Sequence, residues 1–177
     1  MPYKAGKDTK VYYSRGLTDS GLDRIFKKAY YTRGRAYHDT GDFDNAIIEY
    51  TKAIEINSED AEAYCSRGVA YEDKANFDQA IYDYSMAIKK NPRLVDAYFH
   101  RAAIYHQSKH FDWAIKDYTK TIEINSQIAD AYYGRGRAYY VKKDMEGALR
   151  DFKKYLELEP KGSFAQDAKK IIKEAGK

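Results

Sequence analysis

The sequence predicts an all-α chain in which paired helices stack one after another as a solenoid. Two observations carry this. A pattern of aromatic and small residues returns every 34 residues, and within each period the apolar residues step by three and four, as on one face of a helix. The composition agrees. Of 177 residues, 44% are hydrophobic and 33% charged, enough apolar material to build a core and too much for a disordered chain. The 31 basic and 27 acidic residues leave a net charge of +4, too small to point to a nucleic-acid partner. A single cysteine excludes an internal disulfide. No apolar run approaches the roughly 18 residues of a membrane-spanning helix, and the start, Met1 to Asp8, has no apolar segment of a secretory signal. A cytoplasmic location is the resulting expectation.

The repeat is read most easily at its first helix. Ala29-Tyr30-Tyr31-Thr32-Arg33-Gly34-Arg35-Ala36-Tyr37 is echoed from Ala63, from Ala97 and from Ala131. The second echo is Phe43-Asp44-Asn45-Ala46-Ile47, which returns from Phe77, Phe111 and Met145. Four units follow: residues 27–60, 61–94, 95–128 and 129–162, with 1–26 before them and 163–177 after. In the first unit Tyr30, Gly34 and Tyr37 lie on one helical face. A break follows at His38 to Asp42, and Phe43, Ala46, Ile47, Tyr50, Ala53 and Ile54 form a second amphipathic stripe. Asn57-Ser58, Asn91-Pro92, Asn125-Ser126 and Glu159-Pro160 close the units, where a Pro or capping Ser stops one helix or opens the next.

This pattern resembles the tetratricopeptide repeat family over about three quarters of the chain. The family's positions are filled by Tyr30, Gly34, Tyr37, Ala46, Tyr50 and Ala53, and again by Tyr64, Gly68, Tyr71, Ala80, Tyr84, Ala87 and Pro92. The third unit departs at Thr121 and the fourth at Tyr155, both where Ala is usual; Tyr155 should reshape the contact with whatever follows. The resemblance implies a right-handed superhelix of helix-turn-helix units. No unit buries its own apolar stripe, so stability comes from neighbours.

Arg33, Arg67, Arg101 and Arg135 each have an acid 16 residues on: Glu49, Asp83, Asp117 and Asp151. The expected role is an ion pair between the two helices of one unit, worth about 0–1 kcal/mol if partly exposed. At the C-terminus, Ser163 to Gln166 reads as a capping box. It opens a last helix with Phe164, Ala168, Ile171 and Ile172 inward and Lys169, Lys170 and Lys173 outward. Before the units, Val11 to Gly16 echoes a repeat start, as an eroded repeat would. Residues 1–10 are expected to be disordered, and Ser20 to Asp23 is a candidate start for a helix running into the first unit.

No phosphate-binding loop, nucleophile elbow or catalytic set is present, so no enzyme, cofactor or metal is expected. His106 and His110 are four apart, but a third zinc ligand is lacking. What remains is surface. At about 100° per residue, the face opposite the helix–helix contact holds a defined set in each unit, and the resemblance implies that this set lines a concave peptide-binding groove. Its expected lining is Tyr31, Arg35 and His38, then Cys65 and Val69, then Phe99, Ala103 and His106, then Tyr133, Arg137 and Tyr140, with Glu62, Glu72, Asp96 and Asp130 beside them. Aromatics with Arg are what interfaces favour, and the two arginines would orient acidic or carbonyl groups. The carboxylate clamp by which one branch of the family grips chaperone tails is absent. Its places hold Tyr31, Arg35, Ser66, Asp96 and His100, or, one unit later, Cys65, Val69, His100, Asp130 and Gly134.

The function expected is a non-enzymatic scaffold binding a peptide segment of a partner protein. One alternative is self-association through repeat ends or through Ile48, Tyr82 and Trp113 on the outer sides of the second helices. Another is weak nucleic-acid binding through Lys4, Lys7, Lys10 and the C-terminal lysines.

Overall fold

The computed structural model describes residues 20–175, all helices and connecting turns. The readings for residues 1–19 lie outside the described residues. In chain order the helices are α1 (Ser20–Asp39), α2 (Phe43–Ile56), α3 (Ala61–Asp73), α4 (Phe77–Lys90), α5 (Val95–Gln107), α6 (Phe111–Ile124), α7 (Ala129–Val141), α8 (Met145–Leu158) and α9 (Ala165–Ala175). They fall into two compact units, divided between Glu59 and Asp60.

The first unit is the pair α1 and α2. Helix α1 begins at Ser20 and runs without a break into the repeat pattern. Gly34 is buried against the Tyr50 ring, which α2 brings to it. The turn to α2 passes through Gly41, whose φ of 80° costs glycine little. Asp42 then caps α2, accepting from the Asn45 amide at 3.2 Å.

The second unit repeats this pairing three times and adds α9. In α3–α4 the Gly68 backbone lies so near Tyr84 that an added Cβ would stand 2.7 Å from the ring. The aromatic fills the space that the missing side chain leaves. Ala80, Ala114 and Ala148 are fully buried at the equivalent place of each second helix, and Tyr84, Tyr118 and Phe152 are buried one turn on. The turns between paired helices place Ala75, Lys109 and Lys143 in the left-handed region, each 34 residues from the last and in register with Gly41. Units close at asparagine because its side chain folds back: Asn91 Oδ1 accepts from the Arg93 amide and Asn125 Oδ1 from the Gln127 amide, both at 3.0 Å.

The arginine rule holds in every repeat. Arg67, Arg101 and Arg135 each grip their acid with two N–H groups at 2.7–3.0 Å, and in the first unit Arg33 engages Glu49. The acids are far more buried than the partly exposed pairs expected from the sequence: Asp83 is 0% and Asp151 1% exposed. Burial pushes the Asp83 carboxyl up against the pull of Arg67. The guanidinium also reaches backwards. Arg101 Nη1 donates to Ser85 Oγ at 2.8 Å, and Arg135 Nη1 to Thr119 Oγ1 at 3.0 Å. One side chain therefore joins the two helices of its own repeat and ties them to the repeat before.

The end of the chain differs from the capping-box reading. Helix α9 starts at Ala165, not beside Ser163, because Tyr155 intervenes. Its ring is buried and its hydroxyl accepts from the Phe164 amide at 3.0 Å, which holds Phe164 ahead of the helix. Ala165, Ala168 and Ile171 of α9 are buried, and Ile172 packs against the same core with Tyr155 and Phe152. Lys169, Lys170 and Lys173 face solvent. On the second helices Tyr82 and Trp113 are exposed, with the Lys116 ammonium 5.4 Å from the Trp113 ring centre; Ile48 is exposed in the first unit.

Candidate functional site

In the second unit the first helices α3, α5 and α7 lie side by side, and a cleft opens between α5 and α7. It measures about 390 Å³. Helix α5 supplies Phe99 and His106, α7 supplies Asp130, Tyr133, Gly134 and Arg137, α6 supplies Tyr118, and Phe164 closes one side. A second cavity of about 520 Å³ adjoins it, sharing Phe99 and Asp130 and adding Asp96, His100, Tyr155 and Glu159. Gly134 is what lets Tyr118 lie along α7, since a Cβ there would collide with the phenol.

Four of the residues expected in a groove are thus gathered: Phe99, His106, Tyr133 and Arg137. Phe99 packs edge-on against Tyr118 at 5.9 Å. The His106 ring meets Phe111 at 5.4 Å, and its Nε2 is buried with no hydrogen-bond partner among the described residues. Burial and the Arg137 charge hold His106 below its ordinary value, so it stays neutral near pH 7. The ring of His110 packs instead edge-on against Tyr105, at 6.4 Å. Among the described residues no His, Cys, Asp and Glu side chains group as a metal site.

Other members of the expected lining lie elsewhere. Cys65 is 6% exposed, because α3 is covered by its neighbours rather than lying free as the helical-wheel argument assumes. Burial, then the carboxylates of Asp96, Glu62 and Glu72, push its thiol up to about 12. Val69 and Ala103 are half-buried outside the cleft, and Tyr140 is exposed near the end of α7, away from it. Tyr31, Arg35 and His38 belong to the first unit, where Tyr31 packs on Tyr50 at 5.6 Å, His38 packs on Phe43 at 5.3 Å and Arg35 is exposed.

Arg137 is not left to meet an incoming acid, as the sequence suggested. Its Nη1 donates to Asp167 of α9 at 3.0 Å, and the Tyr133 hydroxyl donates to the same carboxylate oxygen at 2.7 Å. Tyr133 and Arg137 hold the Asp167 carboxyl below the usual range, while burial and that bond push the Tyr133 phenol up to about 12. Phe164 stacks on the Tyr133 ring, 4.2 Å between centres and 9° from parallel. Sequence reasoning missed Asp167 and the outward place of Phe164. A signal existed, since Asp167 stands 34 residues after Tyr133 and continues its row.

One repeat earlier, the positions of His106, Tyr118 and Gly134 hold a polar knot of Glu72, Tyr84 and His100. Glu72 Oε2 accepts from the Tyr84 hydroxyl at 2.6 Å and lies 3.1 Å from His100 Nδ1, and the His100 ring stacks on Tyr84. Burial would raise the Glu72 carboxyl, but these bonds outweigh it and hold it low.

Paired helices repeated at 34 residues define a helical-repeat protein of the protein-interaction scaffold class. The chain belongs to the tetratricopeptide repeat family: family models match residues 34–75 and, unit by unit, 61–94, 95–127 and 129–161. Comparison with curated protein sequences returns no match. Among solved structures it is similar to MamA, at 30% identity over 91% of this chain and 98% of that one, with a TM-score of 0.71. It is also similar to the Arabidopsis OM64 TPR domain, at 30% identity over 66% of this chain and 97% of that one, TM-score 0.62. A third likeness is the first TPR of Spaghetti (RPAP3), solved with the HSP90 peptide SRMEEVD, at 27% identity over 68% of this chain and 97% of that one, TM-score 0.63. Among the described residues no helix is long and apolar enough to cross a membrane.

Proposed function

We propose that the chain is a non-enzymatic scaffold that takes a peptide segment of a partner protein into the cleft between α5 and α7. One observation supports this most: Phe99, His106, Tyr133 and Arg137, far apart in sequence, line one open cleft with an aromatic floor. Aromatic area that can be desolvated is what drives peptide capture. The similar RPAP3 domain holds a peptide, and the same mode of use suits this chain. The chaperone-tail version of that mode does not suit it, because the clamp places hold Tyr31, Arg35, Ser66, Asp96 and His100. The test is to titrate a partner captured by the wild-type chain against Phe99→Ala with His106→Ala. A loss of at least about tenfold in affinity is expected; unchanged affinity refutes the reading.

A further inference from the structure

The chain carries a net +4, yet acids collect on this face: Asp130 lines the cleft, and Asp96 and Glu159 join it in the adjoining cavity. Glu62 continues the row on α3, in register with Asp96 and Asp130 at the 34-residue period. The guanidinium on this face, Arg137, is already matched by Asp167. The negative field reaches across helices. Burial first and then Asp96 raise the Glu62 carboxyl, and burial, Asp130 and Glu72 raise the Tyr118 phenol. His106 stands where the preceding repeat has Glu72; its buried Nε2 has no donor, whereas Glu72 receives the Tyr84 hydroxyl.

We infer that the occupant of this cleft is a basic, extended segment of a partner protein, anchored by an arginine side chain between Phe99 and Tyr133. The inference rests on the peptide-cleft reading above and specifies its ligand. A guanidinium suits the acids and the aromatics of the site. Its planar N–H groups match the Asp130 carboxylate. Its face stacks on the aromatic walls, where a cation is attracted to the ring. The spacing fits as well. Packed helices lie about 8–10 Å apart, and Asp96 and Asp130 hold the same place on neighbouring helices. A polyproline II strand rises about 3.1 Å per residue and returns to the same face about every third residue. Arginines at every third position therefore meet successive carboxylates.

Asp96 and Asp130 also lie in the first turns of α5 and α7, where the helix dipole favours an acid. The two roles separate by experiment, since only the ligand role affects peptide affinity. The full chain is titrated by fluorescence anisotropy against labelled Arg-Pro-Pro-Arg-Pro-Pro-Arg amide, and against versions with glutamate or neutral citrulline for each arginine. The arginine peptide should bind and the citrulline peptide should not. Asp96→Asn with Asp130→Asn should weaken the arginine peptide at least about tenfold. Both aspartates are exposed, so a matching melting curve shows the variant folded. Unspecific attraction to a net positive chain would favour the glutamate peptide instead. Tighter binding of the glutamate peptide, an unchanged affinity in the double variant, or no binding of the arginine peptide at low ionic strength overturns the inference. If the glutamate peptide binds and Phe99→Ala abolishes it, the cleft reading survives and the cationic ligand does not. If Phe99→Ala changes no peptide's affinity, the cleft reading falls too.

Discussion

Asp83→Asn should cost this protein far more than the loss of an ordinary ion pair. Asp83 is fully buried and takes two N–H groups of Arg67, at 2.7 and 2.8 Å; the Arg67 side chain is 14% exposed. An amide there presents an NH2 group to a buried guanidinium and removes its counter-charge. Breaking one side of a buried pair costs about 3–5 kcal/mol, against about 0–1 kcal/mol for an exposed one. At roughly 2–4 °C per kcal/mol for a chain of this length, the melting point should fall by about 6–20 °C. Thermal and urea unfolding followed by circular dichroism measure this. Glu123→Gln is the control, since the Lys120–Glu123 pair is exposed on both sides, and it should stay within about 1 kcal/mol. Replacing both partners, Arg67→Met with Asp83→Leu, should recover most of the loss, because no charge is left unpaired. A cost for Asp83→Asn no larger than that of Glu123→Gln would refute the view that these pairs are buried fasteners.

Three further outcomes follow from the same geometry. Cys65 should resist alkylation in the native protein at pH 8 and react once urea unfolds it, because its thiol is buried and pushed up to about 12; rapid native labelling would contradict its placement. Ala75→Gly should raise the melting point by a few degrees at most, relieving about 1 kcal/mol of left-handed strain offset by the freer unfolded glycine. Asp167 has its carboxyl held below the unfolded value. Its contribution to docking α9 is therefore present above about pH 4 and is lost as the pH falls through the folded value. The protection of α9 amides, measured relative to their intrinsic exchange rates, should fall on acidification below about pH 4, and Asp167→Asn should remove that acid step.

Much of the fold was legible because the repeat writes each contact several times. Gly68 against Tyr84 and Arg67 on Asp83 follow from residues that recur at 34. Ser85 and Thr119 recur at that period too, but their role needs the neighbouring repeat's arginine, which a reading of one unit does not supply. The cleft was legible in part. A helical wheel placed Phe99, His106, Tyr133 and Arg137 on one face, and they share the cleft. It failed at Cys65, because a wheel treats α3 as isolated while its neighbours bury that face. It failed at the chain's end because the capping-box rule is local, whereas Tyr155 and Tyr133 fix Phe164 from a distance in sequence. The charge of Arg137 was visible, but its neutralisation by Asp167 depended on where α9 docks.

The most direct test of the cleft as the working surface is site-specific photo-crosslinking in cells. A photoreactive benzoyl-phenylalanine replaces Phe99 on α5 or, separately, Tyr82, which is exposed on α4. Crosslinking of one protein partner from position 99 and none from position 82 is the result expected. Crosslinking from position 82 alone would contradict the assignment of function to the cleft.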